Sequence, residues 1–550
     1  MSIRSFTKHP VFLLILLGVA SFFPFLGTTH LFDWDEINFA ESAREMMITG
    51  EYLKVQINYE PFWEKPPLFF WLQVISMKVF GVGAFAARFP NAVMGIVTMI
   101  TIYLLGRREH NQTFGLIWSL LYVGSLLPHL YYRSGIIDPV FNFFIFLGVY
   151  YLYITVVSYS KSILFASLSG LFTGLSVLTK GPVGLLLVLL TLFTIWSTRR
   201  FSRSIVHYQE VVIFVLTALL VSFFWFGWET IQHGPRYLVE FIAYQVNLFT
   251  KPVAGHAQPW YYHALVVFIG CFPISIFGLK RLFGTSNLSD FDRWMLALFW
   301  AVMILFSCVT TKIVHYSSMT YLPLSFLAAR EVYSWHQTGV TKSTMALYMV
   351  FGCTWSLLLA ALGYLLNDID LLGSMLQGEF AIESLKVELD LLGWEWAIGI
   401  LFFMATIFIC KLLLKKQFLK MVWAQAMVMS VMLTFVSATL LPNIEALSQR
   451  PAINFFKSYK GKDVYLMTEG HKSYATYFYG EVQRHENEHA LEEKWLLSGP
   501  IDKPVYIAVK INNVDSMEQY PDIVELYRKG GFVFFERLPQ KIPESEALKS

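Results

Sequence analysis

Apolar stretches long enough to cross a lipid bilayer recur along the first 441 residues of this 550-residue chain. A membrane-spanning helix needs about 20 predominantly apolar residues, because the hydrocarbon core of a bilayer is about 30 Å thick. Lipid-exposed backbone must satisfy its own hydrogen bonds, so repeated stretches of this kind predict a bundle of helices. We expect about 13 spans, near residues 10–29, 83–105, 113–130, 137–158, 163–179, 182–197, 209–229, 261–279, 293–310, 316–333, 343–366, 393–413 and 420–441.

The composition excludes several classes of protein. Hydrophobic residues make up 55% of the chain and charged residues 15%, whereas soluble proteins carry about 25% charged residues. A soluble enzyme and a disordered chain are therefore excluded. The net charge of +3 is too small to favour a nucleic-acid partner. Each of the four cysteines sits in an apolar run, which indicates core residues and not a disulfide framework.

The distribution of lysine and arginine predicts the orientation. If the N-terminus is cytoplasmic, every connection that returns to the cytoplasm is basic, as the positive-inside rule requires. The opposite face then receives the long loops 30–82, 230–260 and 367–392, which carry acids and aromatics. We call 30–82 the first outer loop. An odd number of spans places the C-terminus on the outer side.

Residues 442–550 have the composition of a soluble domain, with 14 Lys/Arg and 16 Asp/Glu. Apolar runs at 463–467, 504–509 and 531–535 predict strands, and 451–460 predicts a helix. The sequence therefore predicts a mainly α, polytopic membrane bundle over 1–441, which includes the first outer loop. A small α/β domain at 442–550 is expected on the outer face.

Ionisable residues near the end of a membrane span are candidates for function, because they are costly there. In the first outer loop, Asp33, Asp35 and Glu36 open a segment that we expect to be helical to about Met47. Asp33 and Glu36 have the spacing of a capping box, so helix capping is an alternative role for Asp33. Asp35 follows a span directly, beside Trp34, which makes it the first candidate for a functional acid.

Other polar residues fall at the same face, and each has an alternative explanation. Glu64 and Lys65 precede two prolines, so a simple turn with a surface ion pair is one alternative. Asp138 before a proline is typical of a helix start. Lys180 could be a lysine that extends its ammonium from a helix end towards water.

Aromatic and basic residues complete this outer-face set. An interfacial aromatic belt explains tryptophan and tyrosine there, but it does not explain histidine and lysine. Together the acids suit a general base, the cations suit a phosphate, and the aromatic faces suit a sugar ring. The remaining members of the set are Arg133, His256, Trp260, Tyr261, Lys312, His315 and Tyr316.

The same residues carry a family resemblance. The chain resembles the GT-C membrane glycosyltransferases, and within them the bacterial lipid A aminoarabinose transferases and the protein-mannosyltransferase-like group. The resemblance covers roughly residues 1–335 and is loose beyond them. It is carried, in the family's order, by Asp35-Glu36, Phe39-Ala40-Glu41, Arg44-Glu45-Met46, Glu64-Lys65-Pro66, Asp138-Pro139, Thr179-Lys180-Gly181, His256, Pro259-Trp260-Tyr261-Tyr262, Lys312, His315-Tyr316 and Pro323.

The resemblance implies a polyprenyl-phosphate sugar donor, used at the periplasmic face of the bacterial inner membrane. The acceptor would be lipid A-type or another component of the cell envelope. Asp35 and Asp138 match the two family acids, and Glu64 and Lys65 match a pair in the active-site wall. His256 matches a histidine that would join Glu64 at a divalent metal. No nucleotide sugar or soluble cofactor is implied.

These observations assign roles to each candidate. Asp35 is the expected base, with Asp138 and Glu36 as further catalytic residues. Lys65, Arg133, Lys180 and Lys312 are the expected ligands of the donor phosphate. The expected substrate-binding residues are Glu64, His256, Trp260, Tyr261, His315 and Tyr316.

Two alternative functions remain open. A protein O-mannosyltransferase would use the same chemistry with a protein acceptor. A transporter or flippase for lipid-linked sugars would also need many spans. However, transporters usually carry polar or broken helices near the bilayer midplane and often inverted repeats. Here the spans are apolar at their centres and no internal repeat is visible, which favours the enzyme.

Overall fold

A computed structural model of the chain describes residues 9–158, 161–198, 206–251, 258–284 and 288–539. These residues are mainly helical, as expected. The helices of the first part are α1 Pro10–Phe22, α2 Asp35–Thr49, α3 Leu68–Phe80, α4 Ala84–Glu109, α5 Gln112–Val123, α6 Leu126–Tyr131, α7 Asp138–Val157, α8 Ser162–Lys180, α9 Val183–Thr198, α10 Tyr208–His233, α11 Pro235–Thr250, α12 Tyr262–Gly270, α13 Ile274–Phe283 and α14 Asp290–Cys308.

The later part of the chain contains long and short helices and most of the strands. A 3₁₀ turn at Val314–Thr320 leads into its first helix. These helices are α15 Tyr321–Thr338, α16 Lys342–Asn367, α17 Ile369–Met375, α18 Glu379–Ser384, α19 Ala397–Leu414, α20 Phe418–Ala438, α21 Leu440–Ser448, α22 Arg450–Ser458, α23 Ala475–Gly480 and α24 Glu493–Ser498. The strands are β1 Gln56–Ile57, β2 Glu60–Pro61, β3 Tyr465–Glu469, β4 Val505–Lys510, β5 Ile523–Lys529 and β6 Phe532–Arg537.

Within the described residues, 8 helical segments are long and apolar enough to cross a membrane by length and composition. They are Ala84–Glu109, Asp138–Val157, Ser162–Lys180, Tyr208–His233, Asp290–Cys308, Lys342–Asn367, Ala397–Leu414 and Phe418–Ser448. Shorter apolar helices are α1, α3, α5 and α9. The number of about 13 spans therefore stays a prediction.

Two of the expected spans are interrupted. The stretch 113–130 forms α5 and α6, and 261–279 forms α12 and α13. At the first break, Gly124 lies against the backbone of Ala426, where an added Cβ would come within 3.1 Å of that residue's nitrogen. At the second break, Pro273 has no backbone N–H to continue the helical bonding. Hydropathy alone does not reveal such breaks.

Small residues allow close helix packing in the bundle. A Cβ at Gly106 of α4 would come within 2.8 Å of the Gly115 Cα of α5. Gly170 and Gly174 of α8 lie in the same way against the backbone of α10. Small residues are favoured between membrane helices because they let the backbones approach. These contacts hold α4 close to α5 and α8 close to α10.

A buried ion pair fastens the first outer loop to the bundle. The Arg88 guanidinium of α4 lies 2.7 Å from the Glu36 carboxylate of α2, and the two side chains are 5% and 7% exposed. Arg88 also donates to the backbone carbonyls of Leu26, Thr29 and His30. Burial alone would raise the pKa of Glu36, but the charge and hydrogen bonds of Arg88 outweigh it, and the pKa is lowered. Glu36 is therefore ionised and forms an ion pair with Arg88.

The C-terminal region contains a four-stranded sheet in the order β3-β4-β6-β5. β3 and β4 are parallel, whereas β6 is antiparallel to both β4 and β5. The three expected strands are confirmed, and the helix expected at 451–460 is confirmed as α22, Arg450–Ser458. The edge strand β5 was not predicted, because most of its residues are exposed and it lacks an apolar run. The division at residue 441 stays a prediction.

We expect Arg88→Met to destabilise the protein strongly. It would leave the Glu36 carboxylate buried without its partner, which costs about 3–5 kcal/mol. The measurement is the unfolding midpoint temperature in detergent, which should fall clearly. The control is Arg236→Met, because the Arg236–Glu240 pair is 79% and 44% exposed and such pairs contribute about 0–1 kcal/mol. Equal midpoints for the two variants would contradict this account of the loop.

Candidate active site

A cavity of about 550 Å³ lies where the first outer loop meets the ends of α7, α8 and α11. The turn Val314–Thr320 and the segment 472–474 complete its wall. The cavity is lined by acids, cations and aromatics from sequence positions that are far apart. Its polar and aromatic lining includes Asp33, Trp34, Asp35, Glu36, Glu64, Lys65, Asp138, Lys180, Tyr244, Gln245, Thr311, His315, Tyr316, Lys472 and Tyr474.

Asp138 and Lys180 meet because their helices are neighbours. Asp138 begins α7 and Lys180 ends α8, and these helices pack along their lengths. The Lys180 Nζ donates to the Asp138 carboxylate at 2.6 Å. Asp138 is thus the first residue of a helix, as the helix-start alternative requires, but its carboxylate also binds a cation in the cavity.

Asp35 is a more accessible acid of the cavity than Asp138. Its side chain is 38% exposed, whereas that of Asp138 is 5% exposed. Among the described residues, the basic side chain that lies against the Asp35 carboxylate is that of His315, whose Nε2 lies 3.6 Å from the Asp35 Oδ2. The same Nε2 lies 4.0 Å from the Asp138 Oδ2. Because Asp35 has no lysine or arginine partner in the part described, its carboxylate is available to take a proton.

His315 is neutral near pH 7. Burial lowers its pKa, and Lys180 and Lys65 lower it further, whereas Asp138 and Asp35 oppose that shift. The ring of the neighbouring residue, Tyr316, faces the Lys180 ammonium, whose Nζ is 5.3 Å from the centre of that ring. The expected pair His315 and Tyr316 therefore lines the cavity beside Lys180.

Lys65 faces the cavity from the first outer loop. Its Nζ lies 3.5 Å from the Tyr244 hydroxyl of α11 and 4.9 Å from the centre of that ring. Burial raises the pKa of the Tyr244 hydroxyl, and the neighbouring Glu64 carboxylate raises it further. Burial lowers the pKa of Lys65, although Glu64 and Asp35 partly oppose the shift. A simple surface ion pair between Glu64 and Lys65 is therefore the wrong explanation for these two residues.

An apolar wall adjoins these charged groups. It is built by side chains of α7, α9, α11 and α14, which face the same space as Lys65 and Lys180. Such a surface suits a hydrocarbon chain next to a bound anion. Its members include Ile137, Phe141, Val183, Leu187, Leu248, Phe249 and Phe306.

Two of the expected phosphate ligands are engaged elsewhere. The Arg133 guanidinium donates to the carbonyls of Ser21 at 2.8 Å and Pro24 at 2.5 Å. The Lys312 ammonium is buried and donates to the Val309 carbonyl at 2.6 Å. Neither residue belongs to the cavity wall. Both cations therefore satisfy backbone groups, a use that sequence spacing does not reveal.

The remaining candidates are not brought to the cavity within the part of the chain that is described. Trp260 and Tyr261 are 73% and 46% exposed and do not line it. His256 lies outside the described residues. Over the residues described, no group of three or more His, Cys, Asp or Glu side chains is arranged to hold a metal ion. The divalent metal expected at Glu64 and His256 therefore stays a prediction, because His256 lies outside the described residues.

Sequence reasoning missed a contribution from the C-terminal region. The Asp33 carboxylate accepts hydrogen bonds from the Ser473 hydroxyl and from the Tyr474 backbone N–H, the latter at 3.1 Å. The capping role for Asp33 is therefore wrong, because α2 has no side-chain cap at Trp34. The two partners are 440 residues apart in sequence, and no local pattern could have connected them.

Comparison with known proteins agrees with these features. A family model described as "Dolichyl-phosphate-mannose-protein mannosyltransferase" matches residues 64–225. An undecaprenyl phosphate-alpha-4-amino-4-deoxy-L-arabinose arabinosyl transferase of Pseudomonas fluorescens is 29% identical over 346 residues, which cover 60% of each chain. An uncharacterized protein of Aquifex aeolicus is 29% identical over 322 residues, 58% of this chain and 63% of its own. The match thus spans less than two thirds of these two relatives.

A solved structure shares the fold over nearly the whole chain. The crystal structure of ArnT from Cupriavidus metallidurans bound to undecaprenyl phosphate has a TM-score of 0.76 and is 17% identical, covering 96% of this chain and 98% of its own. Its apo form has a TM-score of 0.75. The chain thus has a GT-C fold and resembles the GT-C membrane glycosyltransferases, in the group of the bacterial lipid A aminoarabinose transferases and the protein-mannosyltransferase-like enzymes.

Proposed function

We propose that this protein is an integral-membrane glycosyltransferase that moves a sugar from a polyprenyl-phosphate donor to an acceptor of the cell envelope. The observation that carries the proposal is the cavity that joins Asp35 and Asp138 with Lys65 and Lys180 beside an apolar wall. The names of the relatives support it, since the Pseudomonas fluorescens protein is described as acting on an undecaprenyl-phosphate sugar. The sugar itself is left open.

Lys65 and Lys180 bind the donor phosphate in this proposal. Both line the cavity next to the apolar wall, where a polyprenyl chain would lie in contact with hydrocarbon side chains. Cations are effective there because charge–charge attraction is stronger away from water. They also stabilise the negative charge that develops on the leaving phosphate as the glycosidic bond breaks.

Asp35 acts as the base. Its carboxylate takes the proton from an acceptor oxygen, and that oxygen forms a bond to the anomeric carbon of the sugar. The bond from that carbon to the phosphate oxygen breaks, and its electron pair leaves with polyprenyl phosphate. Direct displacement of this kind inverts the anomeric carbon. Asp138 holds Lys180, and Glu36 holds the loop through Arg88, so both position the site.

The proposal places the protein in the bacterial inner membrane, with its N-terminus cytoplasmic and its C-terminus periplasmic. The 8 long apolar helical segments support a multi-pass protein, and the basic connections support the orientation. In that orientation Asp35 and Lys65 of the first outer loop face the periplasm. Residues 442–550 would then form a periplasmic domain above the membrane domain 1–441.

Asp35→Asn keeps the shape of the side chain but removes the base, so we expect turnover to fall about 10²–10⁴-fold. The measurement is mass spectrometry of lipid extracts from deletion cells that carry wild type or variant. Deletion and Asp35→Asn cells should both accumulate a polyprenyl-phosphate sugar and lose one glycan from the envelope. The control is Asp463→Asn, because that carboxylate is 80% exposed and lies away from the cavity.

The two alternative functions give different results. If no sugar-linked polyprenyl phosphate accumulates, or if Asp35→Asn behaves as wild type, the proposed reaction is wrong and a transporter is favoured. If the glycan is lost from secreted protein and not from lipid, the enzyme is a protein O-mannosyltransferase-like one. The molecule that lacks its glycan in the deletion cells therefore identifies the acceptor.

Lys65→Arg should extend donor binding to higher pH. Burial lowers the pKa of Lys65, so wild type loses the ammonium, and with it the phosphate contact, below the pH at which an ordinary lysine deprotonates. Arginine stays protonated throughout that range. The measurement is the donor KM between about pH 7 and 10. This KM should begin to rise at a lower pH in wild type than in Lys65→Arg. Lys78→Arg is the control, since Lys78 lies over the Tyr52 ring at the surface. Parallel profiles for wild type and Lys65→Arg would argue against Lys65 as the ligand.

A further inference from the structure

A second cavity lies at the other end of the bundle from the candidate active site. It has a volume of about 440 Å³ and is formed by the start of α1 and the last turns of α4; we call it the inner groove. Arg107 of α4 lines it, whereas Arg88 of the same helix fastens the first outer loop. With a rise of about 1.5 Å per residue, the two arginines are about 28 Å apart along the helix axis. The inner groove is therefore separate from the candidate active site.

Hydrogen-bonding groups without a protein partner line the inner groove. The side chain of His9 does not cap α1 and Pro10 has no N–H, so the N–H groups of Val11 and Phe12 have no acceptor within the helix. Both of these residues line the groove, and so does Tyr103. The Tyr103 hydroxyl is buried and has no hydrogen-bond partner among the residues that the structure describes. Because a buried polar group without a partner is costly, this wall suits a ligand that brings oxygen atoms.

The inner groove carries positive charge. The Arg107 side chain is exposed and forms no ion pair within the described part of the chain. Glu109, the acid nearest to it in the sequence, accepts hydrogen bonds from the hydroxyls of Tyr150 and Tyr153, each at 3.1 Å. The N-terminus of a helix adds partial positive charge, and α1 has no acid in its first turn. An arginine beside free backbone N–H groups is a donor set that binds phosphate.

Apolar side chains continue from the inner groove along α1. Phe12 and Ile15 line the groove itself. Phe12, Leu16 and Val19 are exposed, and their spacing of four and three residues places them on one face of the helix. We call these three residues the apolar stripe. Such a stripe offers contact to hydrocarbon chains that start at the groove, and a phosphate joined to hydrocarbon chains is the chemistry of a phospholipid.

We propose that the inner groove binds an anionic phospholipid of the cytoplasmic leaflet. Its phosphate lies on Arg107 and the first-turn N–H groups of α1, and its acyl chains lie along the apolar stripe. Basic pockets between membrane helices on the cytoplasmic side bind anionic headgroups in this way. A zwitterionic lipid binds less tightly, because its ammonium is repelled by Arg107 and meets no carboxylate among the described residues that line the groove. The bound lipid joins α1 to α4 and thereby stabilises the folded protein.

The test measures lipid binding to the purified full-length protein in detergent, freed of co-purified lipid. The probes are phosphatidylglycerol and phosphatidylcholine with identical acyl chains. Native mass spectrometry measures the bound fraction of each lipid, and the unfolding midpoint measures the stabilisation. We expect wild type to bind phosphatidylglycerol about tenfold more tightly or better, because the choline ammonium offsets one charged contact, which is worth about that factor. Arg107→Met should remove both the preference and the rise in midpoint, and Arg107→Lys should keep part of each.

Arg108→Met is the matched control. Arg108 carries the same charge and is exposed like Arg107, but it does not line the inner groove, so this variant should bind both lipids as wild type does. An equal loss in the two variants would show a general attraction to the basic connection and would overturn the proposal. Equal binding of the two lipids by wild type would overturn it as well.

Tyr103→Phe is a second variant that removes only one buried hydroxyl. Because this hydroxyl has no protein partner among the described residues, the unfolding midpoint without lipid should not fall. Phosphatidylglycerol should nevertheless bind several times more weakly than to wild type. A fall in the lipid-free midpoint, or unchanged lipid binding, would contradict the place given to this hydroxyl in the site.

Free phosphate in solution offers the same charged group without the acyl chains. Inorganic phosphate at an equal concentration should not displace phosphatidylglycerol, because it makes no contact with the apolar stripe. Displacement under these conditions would show a site for free phosphate and would overturn the assignment to a lipid. The inner groove takes no part in the proposed reaction, so Asp35→Asn should bind phosphatidylglycerol as wild type does, whatever its effect on sugar transfer.

Discussion

The buried ion pair between Glu36 and Arg88 is the interaction on which the arrangement of the site depends. It fixes the start of α2 against α4, and the residues on either side of that start are Asp33, Trp34 and Asp35. Because Glu36 also accepts a hydrogen bond from the Gly135 N–H, the same carboxylate positions the turn that leads into Asp138. One buried charge therefore helps to position Asp35 and Asp138 relative to the membrane helices.

Much of the bundle and part of the site could be predicted from the sequence. Apolar runs located most of the long helices, and the outer ends of those runs supplied Asp35, Glu64, Lys65, Asp138, Lys180, His315 and Tyr316, all of which line one cavity. This succeeded because ionisable groups near a membrane are costly and are kept where they have a partner or a use. Ionisable residues at the end of a membrane span are therefore good candidates for function, even when a single sequence is considered.

The remainder required the three-dimensional structure for physical reasons. Arg133 and Lys312 are residue types that often bind phosphate. Here, however, their side chains donate hydrogen bonds to backbone carbonyls. The breaks at Gly124 and Pro273 depend on what packs beside them, which hydropathy does not record. The contact between Asp33 and Ser473 joins positions at opposite ends of the chain. Long-range pairing of this kind leaves no periodic trace in the sequence.

The ion pair between Lys180 and Asp138 has a consequence for selectivity. Asp138 acts as a resident counter-ion, so an anion that approaches Lys180 must compete with a carboxylate already at 2.6 Å. A small, strongly hydrated anion loses its water and gains little in that exchange. An anion attached to a hydrocarbon chain also gains contact with the apolar wall, and it can win the competition. In the proposed function, the apolar wall and the Asp138 carboxylate would therefore together favour a lipid-linked phosphate over a soluble one at Lys180.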